Sequence, residues 1–175
     1  MNNSVQSRVG DHPFFSGMKP EHVKIIEASA TETDFAPDQM LFREGEPATK
    51  FYLIEIGRIA LEAHDPADGT ALVQYLGPGD VLGWSWLFPP YVWHFQAHAV
   101  EPVKAIILDG TRLLIAAERY HDFGYELMKR VAQVLIRRLQ TTRKQLLAES
   151  NPHGTDEDMG RKDWRSEYSA LQRAP

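Results

Sequence analysis

The sequence predicts a mainly β domain, an antiparallel roll or barrel flanked by helices, and three observations carry that expectation. From Thr31 onward, glycine-bearing turns recur at Gly45, Gly57, Gly69 and Gly77 to Gly79, with short runs rich in β-branched and aromatic residues between them. No long helical pattern interrupts these runs before Asp109, so about eight strands must pair among themselves, and closing the sheet removes its exposed edges. Beyond Asp109 the apolar residues recur in steps of three and four, the period of a helix with one buried face.

Taken in order, 1–13 is a leader, expected to be frayed over Met1 to Asp11 because it is polar. Lys19-Pro20-Glu21 opens a short helix reaching Ala30. A proline in the first turn gives up an N–H that would have no partner, an acid there meets the positive end of the helix dipole, and Val23, Ile25 and Ile26 follow at helical spacing. Phe51 to Ile56 and Ile59 to Ala63, split by Gly57-Arg58, read as a hairpin with a two-residue loop. Pro66 to Gly69 turns into a strand over 71–76, and Phe95 to Val100 and Val103 to Leu108 add two more. Thr111 is expected to cap a short helix from Arg112 to about Tyr120.

A long helix is predicted over 123–149, with Met128, Val131, Leu135, Leu139, Thr142 and Leu146 as its stripe. The stripe outruns the radius of a domain this size. The helix is therefore expected to pair with that of a second copy through Met128, Val131, Leu135, Leu139 and Leu146. Asn151-Pro152-His153-Gly154 then punctuates the chain, leaving 14–149 as the domain and 150–175 as a tail. Trp164, Tyr168 and Leu171 of that tail either dock or stay free.

The chain of 175 residues suits one core with an appended helix. It has no cysteine, which excludes disulfides, thiolate zinc sites and cysteine nucleophiles. A net charge of −5 gives no overall attraction to phosphate backbones. Arg130, Arg137, Arg138, Arg143 and Lys144 read as a solvated helix face in preference to a nucleic-acid ridge. The N-terminus lacks the apolar stretch of a signal peptide, and no segment approaches the roughly 20 apolar residues of a membrane span, so a cytoplasmic location without membrane contact is expected.

Leu76 to His94 gathers three of the four tryptophans. Gly77-Pro78-Gly79-Asp80 is a strong turn, because proline presets φ, glycine supplies a positive φ and aspartate bonds the backbone ahead. Gly83 permits close backbone approach, and Trp84 to Phe88 is one or two helical turns ended by Pro89-Pro90. The N–H groups at that helix start, with Ser85, either hold an anion or form an ordinary cap. Trp84, Trp86, Trp93 and Phe95, with Gly83 and His94, either line an aromatic ligand pocket or fill it as core. His94 and His98 lie about 13 Å apart along a strand, too far for one metal. No nucleophile elbow, phosphate-binding glycine-lysine loop or carboxylate pair accompanies them, so neither metal nor catalysis is expected.

Phe42-Arg43-Glu44-Gly45-Glu46-Pro47-Ala48, Phe51-Tyr52-Leu53-Ile54, Gly57-Arg58-Ile59, Asp68-Gly69 and Leu76-Gly77-Pro78-Gly79-Asp80-Val81-Leu82-Gly83, in that order, resemble the consensus of the cyclic nucleotide-binding domain family. That family includes catabolite activator protein and protein kinase A regulatory subunits. The resemblance covers about Phe14 to Glu149. It implies a double-stranded β-helix, jelly-roll-like, with an N-terminal helix, a short hinge helix and a long C-terminal dimerisation helix. It fixes no cofactor; the ligand class it implies is a cyclic nucleotide or another small-molecule effector.

Members that bind cyclic AMP or GMP carry a glutamate after the cassette glycine, for the ribose hydroxyl, and an arginine about ten residues on, for the phosphate. By the resemblance, Trp84 and either Trp93 or His94 stand there instead. Losing two charged hydrogen bonds, at roughly 1.5–3 kcal/mol each, implies that tight binding in the usual pose fails. Arg137-Arg138-Leu139-Gln140 also resembles the family's long helix and places Thr142 where a hydroxyl meets the bound base. The alternative for Thr142 is packing, with its hydroxyl bonded one turn back. In transcription regulators of this kind a winged helix-turn-helix follows, for which 150–175 is too short. The expectation is thus a Crp/Fnr-like cytoplasmic sensor, homodimeric and not an enzyme, in which occupancy moves the 112–120 helix. The rival reading is a ligand-free interaction subunit with a protein partner.

Overall fold

The computed structural model of the chain describes residues 4–67 and 69–150, with side chains up to residue 148. Asp68 and the tail bearing Trp164, Tyr168 and Leu171 lie outside the described residues. The elements are α1 (Val5–Asp11), α2 (Pro20–Glu27), β1 (Ala30–Phe35), β2 (Met40–Phe42), β3 (Lys50–Ile56), β4 (Ile59–Asp65), β5 (Gly69–Leu76), β6 (Val81–Leu82), β7 (Gln96–Ala99), β8 (Val103–Asp109), α3 (Gly110–Arg119) and α4 (His121–Ser150), with single 3₁₀ turns at Pro13–Phe15 and Ser85–Leu87. The strands make two antiparallel four-stranded sheets, ordered β1-β8-β3-β6 and β2-β7-β4-β5. This is the jelly-roll-like β-roll with flanking helices that the resemblance implies.

The sheets meet through aromatic side chains. The Tyr52 ring of β3 lies 5.8 Å from that of Phe42 on β2. On the other face of β3, Phe51 meets Phe14 at 5.3 Å and Trp86 at 6.0 Å. Phe51 to Ile54 are all buried, so β3 is a central strand covered on both sides and reads as a continuous apolar run, not an alternation.

Four sequence expectations are corrected. The Gly57-Arg58 turn does not close a hairpin: β3 pairs with β6 and β8, and β4 with β5 and β7, so the turn carries the chain from one sheet to the other. Gly57 has φ +86°, and a Cβ there would stand 2.2 Å from the Pro102 carbonyl oxygen, so a close crossing sets this glycine. Second, the leader is helical from Val5. Ser4 caps α1, Val9 is buried in the core, and Arg8 pairs with Glu55 at 2.8 Å and with Glu32. Third, α3 is capped by Asp109 and not Thr111; the Asp109 carboxylate accepts from the Arg112 N–H at 3.0 Å. Fourth, Val131 is buried within this chain and is unavailable to a second one.

Within the unit Met1–Leu139, α4 is fastened to the N-terminal elements by hydrogen bonds. His22, 3% exposed, has Nδ1 2.6 Å from Glu126 Oε2 and Nε2 3.0 Å from Asp122 Oδ2. Arg130 donates to the carbonyls of Phe14 and Ser16, both at 2.9 Å, and to Glu126 at 3.2 Å. The hydrogen bond from His22 holds the Asp122 carboxyl below its ordinary range. Burial pushes Glu126 up, but the hydrogen bonds from His22 and Arg130 outweigh it and leave this carboxyl lowered too.

A carboxyl with a lowered folded pKa contributes stability above its unfolded value and loses it as the pH falls through the folded one. The melting temperature is therefore expected to fall as the pH drops below about 4. Glu126→Gln should cost about 1 kcal/mol at pH 7 and flatten this acid limb, which melting curves from acid to neutral pH would show. An acid limb unchanged by the substitution would contradict the assignment.

Candidate functional site

The site begins at a turn set by glycine and aspartate. Asp80 Oδ2 accepts from the Gly77 N–H at 2.9 Å, and Gly79 takes φ +86°. This turn delivers β6 against β3, with Leu82 opposite Tyr52 and Val81 opposite Leu53. Gly83 follows at φ +86°. A Cβ there would lie 2.9 Å from the Trp93 ring and 3.0 Å from the Lys50 carbonyl oxygen, so the glycine exists to let an indole approach the backbone.

The three tryptophans divide into different roles. Trp86, 1% exposed, lies outside the cavity wall and under α3; a Cβ on Gly110 would stand 2.5 Å from its Cγ, so the start of α3 rests directly on this indole. Trp93, 4% exposed, stacks on Phe42 with ring centroids 4.0 Å apart and planes 19° from parallel. Trp84 is half-buried and stacks on His94 at 6.1 Å and 17°. Gly83, Trp84, Ser85, Trp93 and Phe95 share one cavity wall with Phe42. The space left among them is about 10 Å³, scarcely the room one water requires.

The polar groups are few. Ser85 is buried, and its Oγ lies 3.2 Å from His94 Nδ1. His94 itself is exposed and outside the cavity wall. His98, placed with His94 by the sequence, sits 3.4 Å from the Glu62 carboxylate instead. Among the described residues no group of three histidine, aspartate or glutamate side chains is arranged to hold a metal. Thr142 belongs to the separate unit Gln140–Pro175 and is exposed there.

Arg138 is the site residue that sequence reasoning misplaced. It belongs to the cavity wall, not to a solvated helix face, and its Nη2 donates to the Val81 carbonyl. Burial lowers the guanidinium pKa, the Asp80 charge acts to raise it, and Arg137 adds to the lowering. A signal was available. The buried positions of α4 are Phe123, Leu127, Val131 and Val134, and the next step of four lands on Arg138.

Comparison with known proteins gives consistent matches. The cyclic nucleotide-binding domain family matches residues 32–120. A CRP-like cAMP-activated global transcriptional regulator of Mycobacterium tuberculosis is 27% identical over 145 residues, 82% of this chain and 61% of that protein. The acetyltransferase Pat of Mycolicibacterium smegmatis is 36% identical over 70 residues, 40% of this chain and 21% of the enzyme. This chain thus spans less than two thirds of either relative. A crystal structure from Geobacter metallireducens, described as a cyclic nucleotide-binding protein, superposes with a TM-score of 0.71 at 27% identity, covering 78% of this chain and 98% of that one.

Proposed function

The chain belongs to the cyclic nucleotide-binding domain family, and from that premise we propose that it is a regulatory module whose nucleotide cassette has been closed by its own side chains. It is not an enzyme. It works in the cytoplasm as a homodimer joined along α4, and it does not hold cyclic AMP or GMP tightly in the usual pose. The observation that carries this reading is the space of about 10 Å³ left where Trp93 lies on Phe42 and against Gly83. A nucleotide cannot enter unless these groups move. No described helix is long and apolar enough to cross a membrane.

The same closed cavity favours the rival form of the reading, a ligand-free subunit whose surface engages a protein partner. The two forms share one test. Trp84→Glu with His94→Arg restores the carboxylate and guanidinium that the family uses and takes an indole out of the cavity wall. The double variant is expected to bind cyclic AMP at least about tenfold more tightly than the unmodified chain, one tenfold step being about 1.4 kcal/mol, less than one charged hydrogen bond can contribute. Equal affinities in a calorimetric titration would contradict the claim that these side chains close the site.

A further inference from the structure

His12 is a buried titratable side chain with no part in the cassette. It is 6% exposed and stands between α1 and the Pro13–Phe15 turn, where its Nδ1 accepts from the Phe14 N–H at 3.2 Å and so caps that turn. An acceptor at Nδ1 fixes the tautomer: the ring is neutral and its proton is on Nε2. Nε2 is buried and has no hydrogen-bond partner among the described residues; the carbonyl it faces, that of Ile54, already accepts from the Gly79 N–H at 2.9 Å. The next residue, Pro13, lies 3.7 Å from where a Cβ on Gly79 would stand, which closes the leader against the turn that precedes β6. Burial lowers the imidazole below its ordinary pKa, while the charge of Asp80 on that turn and the Ile54 carbonyl act to raise it. The charges on the other elements around the leader are engaged elsewhere: Arg8 of α1 with Glu32 of β1 and Glu55 of β3, and Arg130 of α4 with Glu126 and the carbonyls of Phe14 and Ser16. Asp11, the other charge on α1, is exposed.

We propose that His12 is an acid-sensitive latch on the leader, residues 4–16. The lone pair open to a proton is the one on Nδ1 that holds the Phe14 N–H, so proton uptake and the capped turn exclude each other. In the charged ring both nitrogens are donors; one N–H would face another at the turn, and the second would stay buried with no acceptor of its own. The leader must open for the proton to be taken up. Docking is therefore strongest above the ordinary histidine value of about 6.5, and it weakens as the pH falls from there towards the lower value of the docked ring. Each unit between the two values multiplies the open fraction about tenfold. Val9, Phe14 and Phe15 are buried in the closed form, so acid raises the frequency of local opening and leaves the roll folded.

Nuclear magnetic resonance on the whole chain, between about pH 7.5 and pH 5, tests the latch. The His12 ring is expected to titrate below about 6.5, and exchange of the Phe14 and Phe15 amides, taken relative to their intrinsic rates, is expected to speed up severalfold across that range. His12→Asn keeps an acceptor for the Phe14 N–H and takes up no proton, so its leader should exchange at one corrected rate throughout. A ring that titrates at or above the ordinary value overturns the proposal, and this readout needs no variant. So does the same acceleration in His12→Asn, which would assign it to another group such as Glu55, whose carboxyl is pushed up by burial. An unmodified chain whose leader amides do not accelerate overturns it equally.

Discussion

Trp93→Ala is expected to cost about 3–5 kcal/mol, the range for removing a large buried aromatic side chain, because the indole is wedged between Phe42 and the Gly83 backbone and little nearby can move in to fill its place. Domains of this size hold about 5–15 kcal/mol in total, so the loss should lower the melting temperature by roughly 10 °C. The variant should also acquire a property that the parent lacks. The void is apolar on most sides, so free indole should enter it and restore part of the melting temperature in proportion to its concentration. Urea unfolding and melting with indole measure both effects. A cost below about 1 kcal/mol would show that Trp93 is a pocket lining that tolerates truncation and not the filler of the site.

Leu139→Asp is expected to convert a dimer into monomers. Leu139 is 71% exposed in the single chain, and Tyr125, Met128 and Ile136 on the same helix are exposed as well. In the unit Gln140–Pro175, Leu146 and Leu147 are also exposed. Each such aliphatic residue contributes about 1.5–3 kcal/mol when it leaves water, so several per chain outweigh what surface ion pairs supply, and a carboxylate in the seam would remain without a partner. Light scattering at tens of micromolar decides it. The unmodified chain should have twice the mass of the variant, and a monomeric unmodified chain would refute the dimer.

These residues also mark where the sequence could be read and where it could not. The strand rhythm, the turn at Gly77 to Asp80 and the close approach at Gly83 were legible because each is a local backbone requirement written in glycine, proline and aspartate. The Gly57-Arg58 link was not. A two-residue turn looks alike whether it closes a hairpin or crosses between sheets, and the deciding contact is with Pro102, far along the chain. Helix α1 escaped notice because one buried valine, Val9, and the ion pairs of Arg8 hold it, and none of these has a local period. On α4 the expected stripe merged two faces. Val131 belongs with Leu127 and Val134 against the roll, whereas Met128 and Leu139 face outward. At a period of 3.6 the two faces sit only a residue or two apart, and only burial separates them. The same merging hid Arg138 among the solvated cations.

The closed cassette is the centre of the account, and calorimetric titration of the unmodified chain with cyclic AMP tests it most directly. With about 10 Å³ of space remaining, and with Trp84 and either Trp93 or His94 proposed to stand where the family's charged contacts belong, no saturable heat is expected up to the highest concentrations used. Low-micromolar or tighter binding, with one cyclic AMP per chain, would contradict it.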